Sequence, residues 1–327
     1  MAEFSHEPVL LRECIEMLRI KSNGVYIDGT LGGGGHSSHI LENLGKNGIL
    51  IGLDQDSDAI DAAAERLRKV KDASKSEAEY SIVKTNFEKM SETAERILRE
   101  RGRSAEADGI LLDIGVSSHQ FDEPERGFSY RFDAPLDMRM DQEQALTAAF
   151  VVNTYPEGQL AKVIREYGEE KWASAIARKI CEKRKAAPLK TTFALVECIK
   201  AAIPARARQG GGHPAKKTFQ AIRIEVNREL DVLEKGIDAA IGLLSEKGRL
   251  CVITFHSLED RIVKNKLKEA AHPCTCPPDF PVCVCGRKPL GKILTNKPIV
   301  ASEIEQSENN RSHSAKLRVF EKRSDMQ

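Results

Sequence analysis

Four consecutive glycines, in Asp28-Gly29-Thr30-Leu31-Gly32-Gly33-Gly34-Gly35-His36, constrain this chain more than any other stretch of it. An apolar segment, Val25-Tyr26-Ile27, runs into them, and a second, Gly48-Ile49-Leu50-Ile51-Gly52-Leu53, ends on Asp54. Strand, glycine turn, helix, strand and terminal acid make the front half of a nucleoside-cofactor site in a parallel α/β sheet. Without Cβ atoms the turn can be sharp and its backbone can touch a ligand, while an acid at the tip of the next strand can accept both hydroxyls of a ribose. A glycine-rich turn by itself also reads as a tight turn with no ligand, and Asp54 weighs against that.

What the loop lacks narrows the cofactor. The dinucleotide pattern G-x-G-x-x-G fails, because from Gly32 or Gly33 the last glycine is replaced by Ser37 or Ser38. The phosphate loop fails as well, since Gly35-His36 stands where Lys-Ser/Thr belongs after Gly29 and Gly34. A ligand without phosphate, its amino-acid end lying against glycine backbone, is what remains, and S-adenosylmethionine fits that description.

Alternating strands and helices are predicted from Tyr26 to Ser118, with strands at Val25–Asp28, Gly48–Leu53, Tyr80–Lys84 and Gly109–Asp113. From about Asp141 to Ala202 the apolar residues fall at helical spacing instead (Leu160, Val163, Ile164; Trp172, Ile176, Ile180; Phe193, Val196, Ile199). The sheet rhythm returns with a helix at Leu230–Leu244 and a strand at Arg249–Phe255, after the loop Gly210-Gly211-Gly212-His213-Pro214. The expected organisation is a core of residues 1–135 and 215–327 interrupted by a helical substrate-recognition insertion at 136–214.

Global charge names no partner: 30% of residues are charged and the net charge is +1. Its distribution is more telling. Between Leu160 and Arg228 sixteen Lys or Arg face six Glu, including Lys183-Arg184-Lys185 and Lys216-Lys217. Solvated helix faces account for individual members; an excess confined to one segment suits a polyanion, with nucleic acid the obvious candidate. There is no long apolar run and no basic-then-apolar start, so the expectation is a soluble, cytoplasmic protein without a membrane partner.

The fourth predicted strand ends on Asp113, which in an open parallel sheet places it near the crevice of Asp54 and the glycine loop. It is read as an acceptor for an amino group of cofactor or substrate, with capping of the next element as the alternative. Asn86-Phe87, past the third strand, falls where an adenine needs an apolar face and a polar edge; Phe87 reads equally well as core.

Longer blocks carry a resemblance. His6-Glu7-Pro8-Val9-Leu10-Leu11, the glycine loop, Asp113 to Gln120, Arg126-Gly127-Phe128-Ser129, Pro135 to Asp141, Gly168-Glu169-Glu170, Thr218-Phe219-Gln220-Ala221, Val226-Asn227-Arg228-Glu229-Leu230 and Phe255-His256-Ser257-Leu258-Glu259-Asp260-Arg261 resemble the bacterial ribosomal RNA small subunit methyltransferase H family, from near residue 6 to near residue 320. The resemblance implies a class I S-adenosylmethionine-dependent methyltransferase fold (a Rossmann-like doubly wound α/β sheet) with a helical insertion. It implies N4-methylation of a cytidine in the decoding region of small-subunit ribosomal RNA, with that RNA or the small ribosomal subunit as partner and no DNA. Carried over by motif, the cofactor contacts are Gly34, Gly35, His36, Asp54, Phe87, Asp113 and Gln120. Two departures are local: Ser118-His119-Gln120 replaces the family's Ser-Pro-Gln, and Asn310 and His313 interrupt its Asn-Pro-Arg-x-Arg-Ser near the C-terminus.

A cytosine amine is a poor nucleophile because its lone pair is delocalised into the ring, so a site that methylates it must accept a hydrogen bond or proton from the nitrogen. Asp113 is the first candidate for that catalytic role and His256 the second, a helix cap being the equal alternative for His256. The base must be unpaired or flipped out onto an apolar surface. Phe128, Tyr130 and Phe132 offer one, with packing on the core as the other reading. A rival enzyme, a DNA amino-methyltransferase, requires a Pro-Pro-Tyr type of strand end that Asp113-Ile114-Gly115-Val116 lacks. A ribosome-assembly binding protein with a vestigial cofactor site is the rival from another class.

Of eight cysteines, four stand singly and four cluster in Cys274-Thr275-Cys276 and Cys283-Val284-Cys285. Four thiolates in twelve residues suffice for a structural zinc, although C-x-C is tighter than the usual spacing; free thiols in a Pro-stiffened loop are the alternative.

Overall fold

The computed structural model describes residues 8–74, 76–208, 212–277, 282 and 284–324. His6, Glu7, Gly210, Gly211 and Cys283, named in the motifs above, lie outside them. The chain divides into two compact units, Met1–Gly115 with Leu230–Gln327, and Val116–Glu229.

The first unit contains α1 (Leu11–Leu18), β1 (Val25–Asp28), α2 (Gly35–Glu42), β2 (Ile49–Asp54), α3 (Ser57–Ser74), β3 (Glu79–Lys84), α4 (Met90–Glu100) and β4 (Ala107–Asp113). After the inserted unit, α11 (Glu229–Leu243), β5 (Leu244–Thr254), α12 (Ser257–Ala271), β6 (Gly291–Ile293), α13 (Glu303–Glu308) and β7 (Lys316–Lys322) complete it. Among the described residues the strands form one sheet in the order β3-β2-β1-β4-β5-β7-β6. The first five run parallel, and β7 is antiparallel to both of its neighbours.

Strand side chains alternate between faces, so each strand feeds two cores. Val25, Ile27, Ile110, Leu112, Leu250 and Val252 pack on one face with α4, α11 and α12 residues such as Met90, Leu233 and Val263. Tyr26, Leu50, Leu111, Cys251 and Ile253 pack on the other with Leu18, Ile40 and Leu67 from α1, α2 and α3. This double burial explains the near-continuous apolar runs that make β1, β2 and β4 readable, whereas the edge strand β3 has no fully buried residue. Sequence patterning does not reveal β7, whose buried Arg318 breaks the apolar run; Arg318 is held by Asp260 of α12 through bonds of 2.7 and 3.2 Å.

The inserted unit holds α5 (Ser118–Asp122), α6 (Ala148–Thr154), α7 (Glu157–Gly168), α8 (Ala173–Arg184), α9 (Thr192–Ala202) and α10 (Lys216–Asn227) around a core of its own. It is wider than the expected 136–214. Phe128 and Leu136 are buried in its core, and Phe219, Ile222 and Val226 bring α10 into the same cluster. Several blocks behind the family resemblance tie this unit together. Asn227 donates to Met138 O and accepts from Met140 N, both at 2.8 Å, while buried Arg126 donates to Arg139 O and Met140 O. Gly127 sits at φ +71°, and a Cβ there would collide with Pro135 O. Among the described residues no helix is long and apolar enough to cross a membrane.

Candidate active site

Parallel pairing aligns the carboxyl ends of neighbouring strands, so that Asp28 lies beside Gly52 and Leu111, and Asp113 beside Ile253. Acids at one such edge face the crevice where ligands of open α/β sheets bind. Local bonds then fix them. Asp113 N–H donates to Thr30 Oγ1 at 2.6 Å, tying β4 to the glycine turn. Asp28, wholly buried, accepts from Ser37 Oγ at 2.7 Å and Thr30 N–H at 3.2 Å, tying that turn to α2.

Asp54 accepts Gly32 N–H at 2.8 Å on Oδ2 and Asp56 N–H at 2.9 Å on Oδ1. A carboxylate offers about four acceptor positions, so both oxygens keep capacity for a pair of hydroxyls. Burial raises its pKa to about 6, with the backbone N–H groups opposing that rise. The glycines divide their work differently from expectation. A Cβ on Gly34 would press on Ala63 Cα at 3.2 Å, and one on Gly35 would meet Pro8 Cγ at 2.5 Å, so these two permit packing within the protein. At Gly32, φ +50°, the nearest atom would be Thr30 O at 3.9 Å, leaving that face open to a ligand.

Buried His36, in the first turn of α2, has Nε2 3.1 Å from Val9 O. A carbonyl only accepts, so Nε2 carries the proton, and burial lowers the pKa to about 4, keeping the ring neutral. Its Nδ1 lies 3.8 Å from Asp113 Oδ2. The other oxygen, Asp113 Oδ1, is buried with no hydrogen-bond partner among the described residues. Burial first, then the charges of Asp28 and Glu259, raise the Asp113 pKa to about 8. An orphaned acceptor in an excess of negative charge fits a cationic or amine-bearing ligand, which would supply the missing donor.

Sequence reasoning gives Glu259 no role of its own. Fully buried, it accepts Phe255 N–H at 2.8 Å and His256 N–H at 3.2 Å, while His256 Nδ1 accepts Glu259 N–H at 3.4 Å. This is a capping box at the start of α12, and the spacing of acceptor and Glu three residues apart is its sequence signal. The structure therefore places His256 as a helix cap with its Nδ1 lone pair engaged. Asp28 and Thr30 also escape sequence reasoning as positioning residues; standing inside the glycine block, they read only as part of the turn.

Phe87 begins a short turn after β3, and its ring lies where a Cβ on Gly236 of α11 would be, half-buried against the core. Gln120 is buried in the inserted unit, where it closes a capping box with Ser117 at the start of α5. Of the three aromatics read as a stacking surface, Phe128 is core, Tyr130 stacks on His213 at 4.4 Å, and Phe132 is 48% exposed.

A sheet in this order, with β7 antiparallel between β5 and β6 and with acids at the tips of β2 and β4 flanking a glycine turn, defines a class I S-adenosylmethionine-dependent methyltransferase fold. Sequence comparison specifies the family. Residues 3–323 match the MraW methylase family, and the chain belongs to it. It is 56% identical to Ribosomal RNA small subunit methyltransferase H of Lachnospira eligens, covering 98% of each chain. It is 53% identical to the protein of that name from Ruminiclostridium cellulolyticum, over 98% of this chain and 99% of the relative. A third relative so named, from Symbiobacterium thermophilum, is 56% identical over 98% of this chain and 97% of its own length.

Proposed function

We propose that this chain methylates the exocyclic N4 of a cytidine in the decoding region of small-subunit ribosomal RNA, using S-adenosylmethionine. The observation that carries the reaction is Asp113, whose buried Oδ1 lacks a donor at the end of β4 beside the glycine turn. The near-full-length likeness to proteins named for small-subunit ribosomal RNA supports the substrate.

When bound, the cofactor supplies an electrophilic methyl group on a positively charged sulfur. Asp54 accepts from the ribose hydroxyls beside its backbone donors Gly32, Gln55 and Asp56, and the open face at Gly32 receives ligand against backbone. Gly34, Gly35 and His36 shape the start of α2 around that site, and Phe87 is the further contact assigned by motif within this unit; Gln120, also assigned by motif, belongs to the inserted unit. Asp113 accepts a hydrogen bond from the attacking amine, which localises its lone pair toward the methyl group. His256 remains the second choice for that acceptor, subordinate to its cap. Incubating RNA and small subunits that lack the mark with labelled cofactor, then mapping the modified nucleoside, tests the reading. Modification elsewhere than cytidine N4 would overturn the reaction, and absence of cofactor binding to folded protein would favour the vestigial binding protein.

Affinity for S-adenosylmethionine is expected to rise with pH up to about 8 and then level off. Free Asp113, with its pKa raised to about 8, is largely neutral below that pH, whereas a cationic ligand favours the carboxylate, so binding expels a proton. The ligand-free fold follows the same shift with the opposite sign. Unfolding returns Asp113 to its ordinary 3.8, so the stability it contributes is present below about 4 and lost as pH rises through about 8. Calorimetry in buffers of different ionisation enthalpy would read the proton release; a pH-independent affinity between 6 and 9 would remove Asp113 from the binding event.

One member of the basic segment is structural. Arg184 is half-buried and donates to Val152 O and Tyr155 O, both at 2.7 Å, so it holds the end of α6. Lys183 and Lys185 are exposed. Neutralising these two, with Arg184 kept, should weaken RNA binding and flatten its salt dependence by about 0.7–0.9 log units for each phosphate no longer neutralised. Cofactor affinity should not change. Filter binding across a salt series would read this, and an unchanged slope would put the RNA surface elsewhere.

A further inference from the structure

We propose that Cys274, Cys276 and Cys285 hold a structural metal ion of zinc's preference, on the loop between α12 and β6. Their three Sγ atoms all lie within 4.8 Å of one another, and those of Cys274 and Cys285 are 3.8 Å apart. Sulfurs bound to one zinc at about 2.3 Å occupy corners of a tetrahedron whose edge is about 3.8 Å, so the loop already brings this pair to the spacing of two ligands.

The backbone adds an independent sign. Val284 N–H points at Cys276 Sγ at 3.4 Å, a donor suited to sulfur that carries negative charge. Gly286, directly after Cys285, takes φ +67°, a left-handed backbone that glycine adopts without strain. Val284 between the two chain segments stays 72% exposed, so the turn is not organised by burying it.

Packing energetics point the same way. From residue 272 to 290 no described residue is buried, and Val282 and Leu290 are 70% and 52% exposed. The described residues of this loop form no apolar core to offset its conformational entropy, and a metal bound by several side chains does so. The ends are anchored by Leu290 N–H donating to Ala270 O at 2.9 Å. The cysteines elsewhere differ: Cys14, Cys198 and Cys251 are buried and Cys181 is half-buried, none of them in such a group among the described residues.

Binding exchanges protons for metal. Three thiols release three protons as three sulfur–metal bonds form, no electron is transferred, and one coordination position is left for a further donor. Arg287 and Lys288, which follow the last ligand, offset the surplus negative charge of three thiolates on a divalent ion.

Metal analysis of the full chain, purified under reducing conditions without added metal or chelator, tests the proposal. About one equivalent of zinc per chain is expected, released on titration with a mercurial thiol reagent. Replacement by cobalt(II) should give sulfur-to-cobalt charge-transfer absorption. The double variant Cys274→Ser/Cys285→Ser should lose both signals while still binding S-adenosylmethionine, which reports that its first unit is folded. A second readout needs no variant: zinc should protect these three cysteines from alkylation, located by peptide mass spectrometry. Metal-free wild-type protein that takes up no cobalt, a metal retained by the double variant, or a Cys274–Cys285 disulfide in freshly prepared protein would each overturn it.

Discussion

Asp113→Asn is expected to lower the single-turnover methylation rate by about 10²–10⁴-fold at saturating cofactor, the range for removing a positioned proton acceptor. The amide preserves the volume, and the backbone N–H of residue 113 still reaches Thr30 Oγ1, so the turn should survive. What disappears is the capacity to become negative beside the reacting amine. The same change relieves a burden on the free protein, because a carboxyl held at about 8 by burial, Asp28 and Glu259 disfavours the fold once ionised. Asp113→Asn should therefore melt higher than the parent in ligand-free buffer above pH 8 while reacting more slowly. A lower rate accompanied by a lower melting temperature would indicate structural damage. An unchanged saturated rate would pass the acceptor role to another group, with His256 next.

Asp54→Ala should weaken S-adenosylmethionine binding by about 1.5–3 kcal/mol, the scale of hydrogen bonds to a charged acceptor, which is about 10–150-fold in Kd. Two losses are mixed in that figure. The ribose hydroxyls lose their acceptor, and Gly32 N–H and Asp56 N–H lose theirs. A cofactor product lacking one ribose hydroxyl separates them. The parent should bind the deoxy form of S-adenosylhomocysteine more weakly than the complete one, and Asp54→Ala should no longer distinguish the two. If the variant discriminates as the parent does, Asp54 serves the loop and another residue reads the ribose.

Calorimetry and single-turnover kinetics on these two variants would separate an acid on β2 that acts in binding alone from an acid on β4 expected to act in both binding and reaction. Such a division agrees with their surroundings. Asp54 is steadied by the backbone N–H groups of Gly32, Gln55 and Asp56, whereas Asp113 Oδ1 has no partner among the described residues. Fixed donors favour the charged form of a carboxyl, and an unsatisfied oxygen leaves room for a donor from a ligand.

The parallel half of the sheet, the glycine turn and the acids at its edge are legible in the amino-acid order. Strands buried on both faces read as short apolar runs, and a turn whose Cβ atoms would strike Ala63 and Pro8 reads as glycine, so these features are written locally. The family blocks are legible for a similar reason, although their work is not: Arg126 and Gly127 act on the following loop and Asn227 on residues far back along the chain. Where β7 enters follows from the folded arrangement alone, because Arg318 interrupts its apolar pattern and is tolerated through Asp260 of another element. The span of the inserted unit, the structural duty of Arg184 and the capping duty of His256 emerge at the same level. The raised pKa of Asp113 belongs there too, since Asp28 and Glu259 are 85 and 146 positions away in sequence. Apolar periodicity records whether a side chain is buried; charge coupling and desolvation depend on which distant groups the fold brings beside it, and periodicity carries no record of that.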